Sequence, residues 1–209
     1  MSVCYIIGAA PFDAETFLFP REDDYVICAD GGYEHLNALG IVPDVIIGDF
    51  DSGEDKGEFP CEVIRLRPEK DDTDTISAVK VALARGWKVF CLYGVLGGRL
   101  DHTFANIQLL SFLLENGAAG TLYNRENTVT LLENNKLVLP KNDEMYLSVF
   151  SFSVCCKGVT LRGVKYPLED AVLTSAFPLG VSNEIVSDYA EVSVTEGKLL
   201  VMLSSKVSQ

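Results

Sequence analysis

Apolar residues in the first half of the chain form short, continuous runs instead of alternating with polar residues. Five of these runs are rich in β-branched residues: VCYIIGA (3–9), YVICAD (25–30), DVIIGD (44–49), EVIRL (62–66) and KVFCLY (88–93). Continuous apolarity is typical of strands that are buried on both faces of a parallel sheet. The pattern therefore predicts five strands of a buried, mainly parallel sheet.

Helical patterns lie between some of these runs and after the fifth one. They cover residues 31–40, 74–86 and 102–117, where apolar residues recur at helical spacing. Each segment ends at a glycine, the residue that most often closes a helix in the left-handed conformation. Strands that alternate with helices predict a right-handed, wound α/β sheet for this half of the chain.

Beyond about residue 126, short strand-like runs are separated by turn residues and no long helical pattern interrupts them. The runs are TVTLLE (128–133), NKLVLP (135–140), MYLSVFSF (145–152), GVTLRGVKY (158–166), DAVLTSAF (170–177) and AEVSVTEGKLLVMLS (190–204). In the last run, TEGK (195–198) predicts a hairpin turn. We therefore expect an α/β domain at residues 1–126 and an antiparallel β-sandwich domain at residues 127–209.

Composition narrows the range of partners and compartments. The net charge of −13 argues against a protein that binds nucleic acid through its general surface, because such binding needs a basic footprint. No apolar run reaches the ~18 residues of a membrane span, and Asp13 and Glu15 come too early for a secretory signal. The six cysteines show neither CxxC nor zinc-site spacing, and several lie in apolar runs. We expect a reduced protein in the cytoplasm, without a membrane or nucleic-acid partner.

Acidic residues collect where the predicted strands end. Asp30 ends the second run, Asp49 and Asp51 follow the third, and KDDTD (70–74) comes after the fourth. Because ligands of an open α/β sheet bind beyond the carboxyl ends of its strands, these carboxylates should lie at one edge. Hard carboxylate oxygens suit Mg²⁺, which takes one or two of them together with phosphate oxygens. The combination predicts a magnesium site.

The KDDTD segment also has a purely structural interpretation. Asp72 and Thr73 are residue types that cap a helix N-terminus, and Asp74 would then lie in a first turn that favours negative charge. This alternative applies to any one of these residues taken alone. It explains less well why acidic residues also follow the third strand.

A glycine-rich segment, YGVLGGRLDHTFAN (93–106), follows the fifth strand. Its glycines permit tight turns whose N–H groups can point at an anion, and Arg99 can bind phosphate oxygens in bidentate fashion. His102 lies at the start of the next helix, whose positive end favours anions. The alternative is a simple turn in which Arg99 and Asp101 form a surface ion pair and His102 caps the helix. Phosphate binding is favoured, because the carboxylates are expected at the same edge.

These motifs together resemble those of the thiamine pyrophosphokinases. The segments DGGYEHL, PDVIIGDFDS, KDDTDTISAV and GVLGGRLDHTFANI occur in the order and approximate spacing of that family. In the second half, GVTLRGVKYPL and SNEI are similar to the family's second domain. The resemblance covers roughly residues 28–185 and depends on several separate motifs.

The resemblance implies transfer of pyrophosphate from ATP to the hydroxyethyl oxygen of thiamine, giving thiamine diphosphate and AMP. It also implies an α/β nucleotide-binding domain, a C-terminal β-sandwich, and a homodimer that holds thiamine at the subunit interface. Two alternatives remain: a pyrophosphokinase for another heterocyclic alcohol such as a hydroxymethylpterin, and a non-catalytic sensor of nucleotide or thiamine diphosphate.

Site residues follow from the same resemblance, position by position. Mg²⁺ would bind Asp49, Asp51 and Asp74, with Asp71 as a helper. The nucleotide phosphates would meet Arg99, Asp101 and His102, and the residue patterns described above add Asp30, Gly97 and Gly98 to this side of the site. The thiamine pocket would comprise Tyr166, Ser182 and Asn183, with Tyr166 offering an aromatic face. Without the resemblance, Tyr166 would be interpreted as a half-buried strand aromatic. Catalysis would depend on the four metal-site aspartates and Arg99. The sequence does not identify a general base; Asp71 and Asp74 are the two candidates for accepting the hydroxyl proton.

Overall fold

The computed structural model describes residues 2–49, 59–67 and 71–206. The chain divides into two compact units, Met1–Arg125 and Glu126–Gln209. The sequence pattern had placed the domain boundary between residues 126 and 127. Asp51 of the predicted metal site lies outside the described residues.

The described part of the first unit contains a sheet of parallel strands. The strands are β1 (Cys4–Ile7), β2 (Tyr25–Ala29), β3 (Val45–Gly48), β4 (Glu62–Arg65), β5 (Val89–Tyr93) and β6 (Ala119–Tyr123). They pair in the order β6-β5-β1-β2-β3-β4, and every pair is parallel. The first three strands are buried along almost their whole length, as continuous apolarity predicted. The parallel sheet is confirmed.

Three helices accompany this sheet in the described residues: α1 (Gly32–Ala38), α2 (Asp74–Ala84) and α3 (Leu100–Glu115). The predicted closing glycines Gly40, Gly86 and Gly117 all have positive φ, at 69°, 92° and 64°. β6 was missed because its sequence, AGTLY, opens with two small residues and has no long apolar run. Position 120 requires glycine, because a Cβ there would overlap the Leu113 side chain of α3.

An aromatic cluster holds the segment that follows β1. Tyr93 of β5 stacks on Tyr123, with ring centroids 5.0 Å apart, and meets Phe17 edge-on at 4.9 Å. Phe12 stacks on His35 of α1, whose Nε2 lies 3.1 Å from the Ala10 carbonyl oxygen. These contacts anchor the backbone around Ala10. His35 therefore has a structural role in this cluster.

The described part of the second unit is a β-sandwich. Its strands are β7 (Asn127–Glu133), β8 (Lys136–Pro140), β9 (Met145–Ser151), β10 (Cys155–Arg162), β11 (Leu168–Thr174), β12 (Gly180–Asn183), β13 (Tyr189–Ser193) and β14 (Lys198–Ser205). They form antiparallel sheets in the orders β12-β9-β14-β7 and β11-β10-β13-β8. Apolar side chains of both sheets form one core between them. The predicted sandwich architecture is confirmed.

The predicted TEGK hairpin is wrong. β13 pairs with β8 and β10, whereas β14 pairs with β7 and β9, so the turn crosses from one sheet to the other. The backbone N–H groups of Thr195 and Glu196 both donate to the Lys157 carbonyl oxygen, 3.1 and 3.2 Å away. The local sequence pattern specifies a turn between two strands. Which strands β13 and β14 pair with depends on contacts elsewhere in the fold, such as these hydrogen bonds to β10.

All six cysteines lie within the described residues and carry free thiols. Separately, none of the helices in the described ranges is long and apolar enough to cross a membrane.

Alkaline pH should destabilise the first unit through its buried weak acids. Burial raises the pKa of the Cys91 thiol from 9.0 to about 11 and that of the Tyr123 hydroxyl from 10.0 to about 12. Since these folded-state values exceed the unfolded ones, the stabilisation is complete below pH 9 and decreases as pH rises towards 11. Between about pH 8 and about pH 10.5, we expect ionisation of Cys91 alone to lower the free energy of unfolding by on the order of 1–2 kcal/mol.

Urea unfolding in the presence of a reductant measures this change in the stability of the protein. A Cys91→Ala variant should lose less stability over the same interval, and an unchanged wild-type urea midpoint would contradict the prediction.

Candidate functional site

A cavity of about 200 Å³ lies at the carboxyl ends of β1, β2 and β5 in the first unit. Its lining includes Ala10, Asp30, Asp74, Gly97, His102 and Asn106. The residues come from loops after three strands and from the first turns of α2 and α3. Parallel strands place these loops at one edge of the sheet, which is where ligands of such folds bind.

Two of the loops that line the cavity are joined by a close approach between Gly8 and Gly94. The Gly8 N–H donates to the Tyr93 carbonyl oxygen and the Ala10 N–H donates to the Gly94 carbonyl oxygen, both at 2.8 Å. Gly94 has a φ of 62°, and a Cβ at this position would overlap the Gly8 carbonyl oxygen. Glycine at both positions lets the loops after β1 and β5 meet backbone to backbone.

Two of the predicted acidic residues line the cavity, Asp30 and Asp74. Asp30 has a φ of 49°, and its N–H donates to the Ile47 carbonyl oxygen at 2.8 Å. This bond joins the ends of β2 and β3, so Asp49, the residue directly after β3, follows a strand end next to Asp30. Within the described chain, neither Asp49 nor Asp71 is among the lining residues.

The start of α2 combines the two interpretations of KDDTD. Thr73 is the N-cap, and its hydroxyl oxygen accepts from the Ile76 N–H at 3.3 Å. Asp72 does not cap the helix; it pairs with Lys80, with 2.6 Å between the carboxylate oxygen and Nζ. Asp74 lies in the first turn and also lines the cavity. Helix capping and cavity lining therefore fall to neighbouring residues, Thr73 and Asp74.

The donor chemistry of the cavity fits a hard divalent cation. Asp30 and Asp74 offer carboxylate oxygens to the same space, and Mg²⁺ typically uses one or two carboxylates together with phosphate oxygens. Among the residues that the structure describes, no three His, Cys, Asp or Glu side chains come together as a metal cluster. An all-protein cage is therefore not formed by the described residues alone, and Asp51 is not among them.

The glycine-rich loop is closed by the first turns of α3. Gly97 and Gly98 both have positive φ, at 96° and 65°. The Gly97 N–H donates to the Thr103 hydroxyl at 3.1 Å, and the buried Asn106 amide donates to the Val95 carbonyl oxygen at 2.8 Å. Sequence reasoning missed Asn106; the available signal was a polar residue at helical spacing from His102.

Arg99 and Asp101 form the surface ion pair that was the alternative interpretation of this loop. Arg99 Nη2 lies 2.6 Å from Asp101 Oδ2, and both side chains are exposed. The hydrogen bond from Arg99 lowers the pKa of the Asp101 carboxyl below its ordinary value. Of these neighbours, His102 lines the cavity, whereas Arg99 and Asp101 are not among its described lining residues.

A second, mainly apolar pocket of about 150 Å³ lies in the second unit. It is lined by the β10 residue Leu161, by Tyr166 and Leu168, and by Val181 and Asn183 of β12. Tyr166 is 61% exposed, so it is not the half-buried strand aromatic of the alternative interpretation. An exposed aromatic ring beside an apolar pocket is suited to a heterocyclic ligand.

Asn183 fixes the backbone of Tyr166. This side chain is only 4% exposed; its Oδ1 accepts from the Tyr166 N–H at 2.9 Å and its Nδ2 donates to the Tyr166 carbonyl oxygen at 2.7 Å. The predicted residues Tyr166 and Asn183 are therefore brought together. Ser182 has a φ of 57°, its N–H donates to the Ser148 hydroxyl at 3.0 Å, and it is not among the described lining residues.

Comparison with known proteins matches both halves of the chain to one family. The model described as the thiamin pyrophosphokinase catalytic domain matches residues 19–119, and the model described as the vitamin B1 binding domain of thiamin pyrophosphokinase matches residues 134–199. A protein of Bacillus subtilis named thiamine pyrophosphokinase is 30% identical over 213 residues, which cover 98% of this chain and 100% of the relative.

Solved structures agree with these matches. The crystal structure of thiamine pyrophosphokinase from Bacillus subtilis has a TM-score of 0.89 at 27% identity, covering 99% of this chain and 100% of the other. That of thiamin pyrophosphokinase from Geobacillus thermodenitrificans has a TM-score of 0.86 at 28% identity, covering 99% of each chain.

Proposed function

The chain belongs to the thiamine pyrophosphokinase family, and from this premise we propose that it transfers pyrophosphate from ATP to thiamine, giving thiamine diphosphate and AMP. The observation that carries the proposal is the pairing of two site types within the matched domains. One is a cavity with carboxylates and a glycine-rich loop, and the other is an apolar pocket with an exposed aromatic ring. The matches do not support a hydroxymethylpterin substrate or a non-catalytic sensor.

In this reaction a bond forms between the hydroxyethyl oxygen of thiamine and the β-phosphorus of ATP. The bond from the β-phosphorus to the oxygen that bridges it to the α-phosphorus breaks, and AMP leaves with that oxygen. The hydroxyl proton is released, with Asp71 or Asp74 as the candidate acceptor. The protein must therefore hold a polyanion and align an alcohol with it, and good alignment contributes on the order of 7–11 kcal/mol.

We assign ATP to the cavity of the first unit. The first turns of α2 and α3 present the positive ends of their helices to this space, and His102 lies among the lining residues. Arg99 is the N-cap of α3. We propose that it exchanges its exposed partner Asp101 for phosphate oxygens, because a surface ion pair of this kind contributes little to stability. Asp30, Gly97 and Gly98 complete the proposed nucleotide side.

Bound Mg²⁺ would neutralise the phosphate oxygens and orient the polyphosphate. Asp74, which lines the cavity, and Asp49, which follows β3, are the described residues proposed to hold it. Asp51 is proposed from the sequence as the third carboxylate. The roles of these residues are to supply hard oxygen ligands and to keep those ligands at one sheet edge.

We assign thiamine to the pocket of the second unit, with Tyr166, Ser182 and Asn183 as its polar and aromatic contacts. Exposed apolar side chains surround this pocket, among them Leu179 and Val181. Such a rim supports the proposed homodimer, in which a second copy of the chain covers thiamine. The free thiols support a cytoplasmic location.

The decisive test is to incubate the protein with ATP, Mg²⁺ and thiamine and to separate the products by chromatography. We expect equal amounts of AMP and thiamine diphosphate, formed only when thiamine is present. Removing the metal with EDTA should stop the reaction, and excess Mg²⁺ should restore it. ATP binding without thiamine-dependent AMP release would overturn the proposed function. Activity that persists in EDTA would overturn the metal assignment alone.

A further inference from the structure

A charged cluster lies next to the pocket of the second unit and has no role in the proposed function. Glu184 follows Asn183 directly and accepts from two lysines, one on each carboxylate oxygen. Lys165 Nζ lies 2.7 Å from Oε1, and Lys206 Nζ lies 2.7 Å from Oε2. Hydrogen bonds from Lys165 and Lys206 lower the pKa of the Glu184 carboxyl to about 2, so it is ionised at neutral pH.

The cluster is coupled to the aromatic ring at the pocket. Lys165 Nζ lies 5.6 Å from the centroid of the Tyr166 ring, within the range of a cation–π contact. Lys206 Nζ lies 5.1 Å from the Tyr146 ring. The Lys165 N–H donates to the Glu184 carbonyl oxygen at 2.9 Å, so Lys165 and Glu184 face each other across paired backbone segments.

Two ammonium groups and one carboxylate leave this cluster with one positive charge instead of two. Thiamine carries a permanent positive charge on its thiazolium ring, whereas thiamine diphosphate is net anionic. Without the carboxylate, both lysines would repel the substrate and attract the product.

We propose that Glu184 is a specificity residue: it balances the charge of Lys165 and Lys206 beside Tyr166, so that the pocket favours cationic thiamine over anionic thiamine diphosphate. This inference depends on the proposed function, because it takes thiamine to bind beside Tyr166. The proposed role concerns Glu184, the glutamate of the SNEI motif. This role is separate from aromatic stacking on thiamine and from phosphate transfer.

The test is to measure by calorimetry the dissociation constants of thiamine and of thiamine diphosphate for the wild type and Glu184→Gln. At about 20 mM ionic strength, the variant should bind thiamine about 3–10-fold more weakly than the wild type does. It should bind thiamine diphosphate more tightly by a similar factor. The two affinities should change in opposite directions, whereas a structural defect of the pocket would weaken the binding of both ligands. About 0.5 M salt should reduce both changes, and kcat at saturating thiamine should stay within about twofold.

Two further variants serve as controls. Glu196→Gln removes the same charge from another lysine pair, in which Lys157 Nζ lies 2.9 Å from the carboxylate, and should change neither dissociation constant. Lys165→Met combined with Glu184→Gln restores the net charge and should return both constants towards wild type. Unchanged constants in Glu184→Gln, or constants that both rise, would overturn the inference. If the wild type binds thiamine but releases no AMP, the proposed function fails while these binding ratios still decide the role of Glu184.

Discussion

Replacing Asp74 by asparagine should lower kcat by about 100–1000-fold, the cost of losing one electrostatic contact to developing charge. Asp74 lies in the first turn of α2 and lines the cavity proposed for ATP. Asparagine keeps the shape of the side chain but removes one anionic ligand from the proposed metal site. Because the carboxylate also interacts favourably with the helix dipole, we expect a loss of only about 1 kcal/mol in the free energy of unfolding. Steady-state kinetics and urea unfolding separate these two effects.

The neighbouring Asp72 provides a matched control two residues away. Its carboxylate pairs with Lys80 and is not among the described residues that line the cavity, so Asp72→Asn should keep nearly full activity. Asp49→Asn and Asp51→Asn should behave like Asp74→Asn if all three carboxylates hold one metal. Full turnover in Asp74→Asn, or an equal loss in Asp72→Asn, would refute the proposed role of Asp74.

Gly94→Ala should destabilise the protein by about 3–5 kcal/mol and abolish ATP binding, because it combines backbone strain with a steric overlap. The φ of 62° is unfavourable for alanine, and the new Cβ would overlap the Gly8 carbonyl oxygen. The overlap can be relieved only if the loops after β1 and β5 move apart, and residues of both loops line the cavity. Urea unfolding and titration with ATP measure the two consequences.

Gly40→Ala separates strain from overlap. Gly40 has a similar φ of 69°, but a Cβ there would meet no atom within 4 Å. We expect this variant to lose only about 1–2 kcal/mol, the cost of the left-handed conformation, and to bind ATP normally. Equal losses in the two variants would mean that the contact between Gly8 and Gly94 has no special importance.

The elements of the first unit were largely predictable, because burial on both faces leaves a direct mark on the sequence. β2 and β5 occupy the apolar runs at 25–30 and 88–93, and α2 begins directly after its predicted cap Thr73. Strands β6 and β12 escaped prediction because neither AGTLY nor GVSN contains a continuous run of large apolar residues. The TEGK turn was recognised as a turn, but its strands belong to different sheets.

The candidate site also combines features that the sequence indicates with features that depend on the fold. The amino-acid sequence is enough to identify the residue types that could bind phosphate and metal and to show that they follow predicted strands, since apolar runs and side-chain chemistry are local properties. Asp30, Asp74 and His102 do line one cavity. Which partners these and other side chains contact is set by the tertiary structure. The bonds between Asn183 and Tyr166, and from Lys206 to Glu184, join residues 17 and 22 positions apart. Such contacts depend on how β-strands pair in three dimensions, which no local pattern encodes.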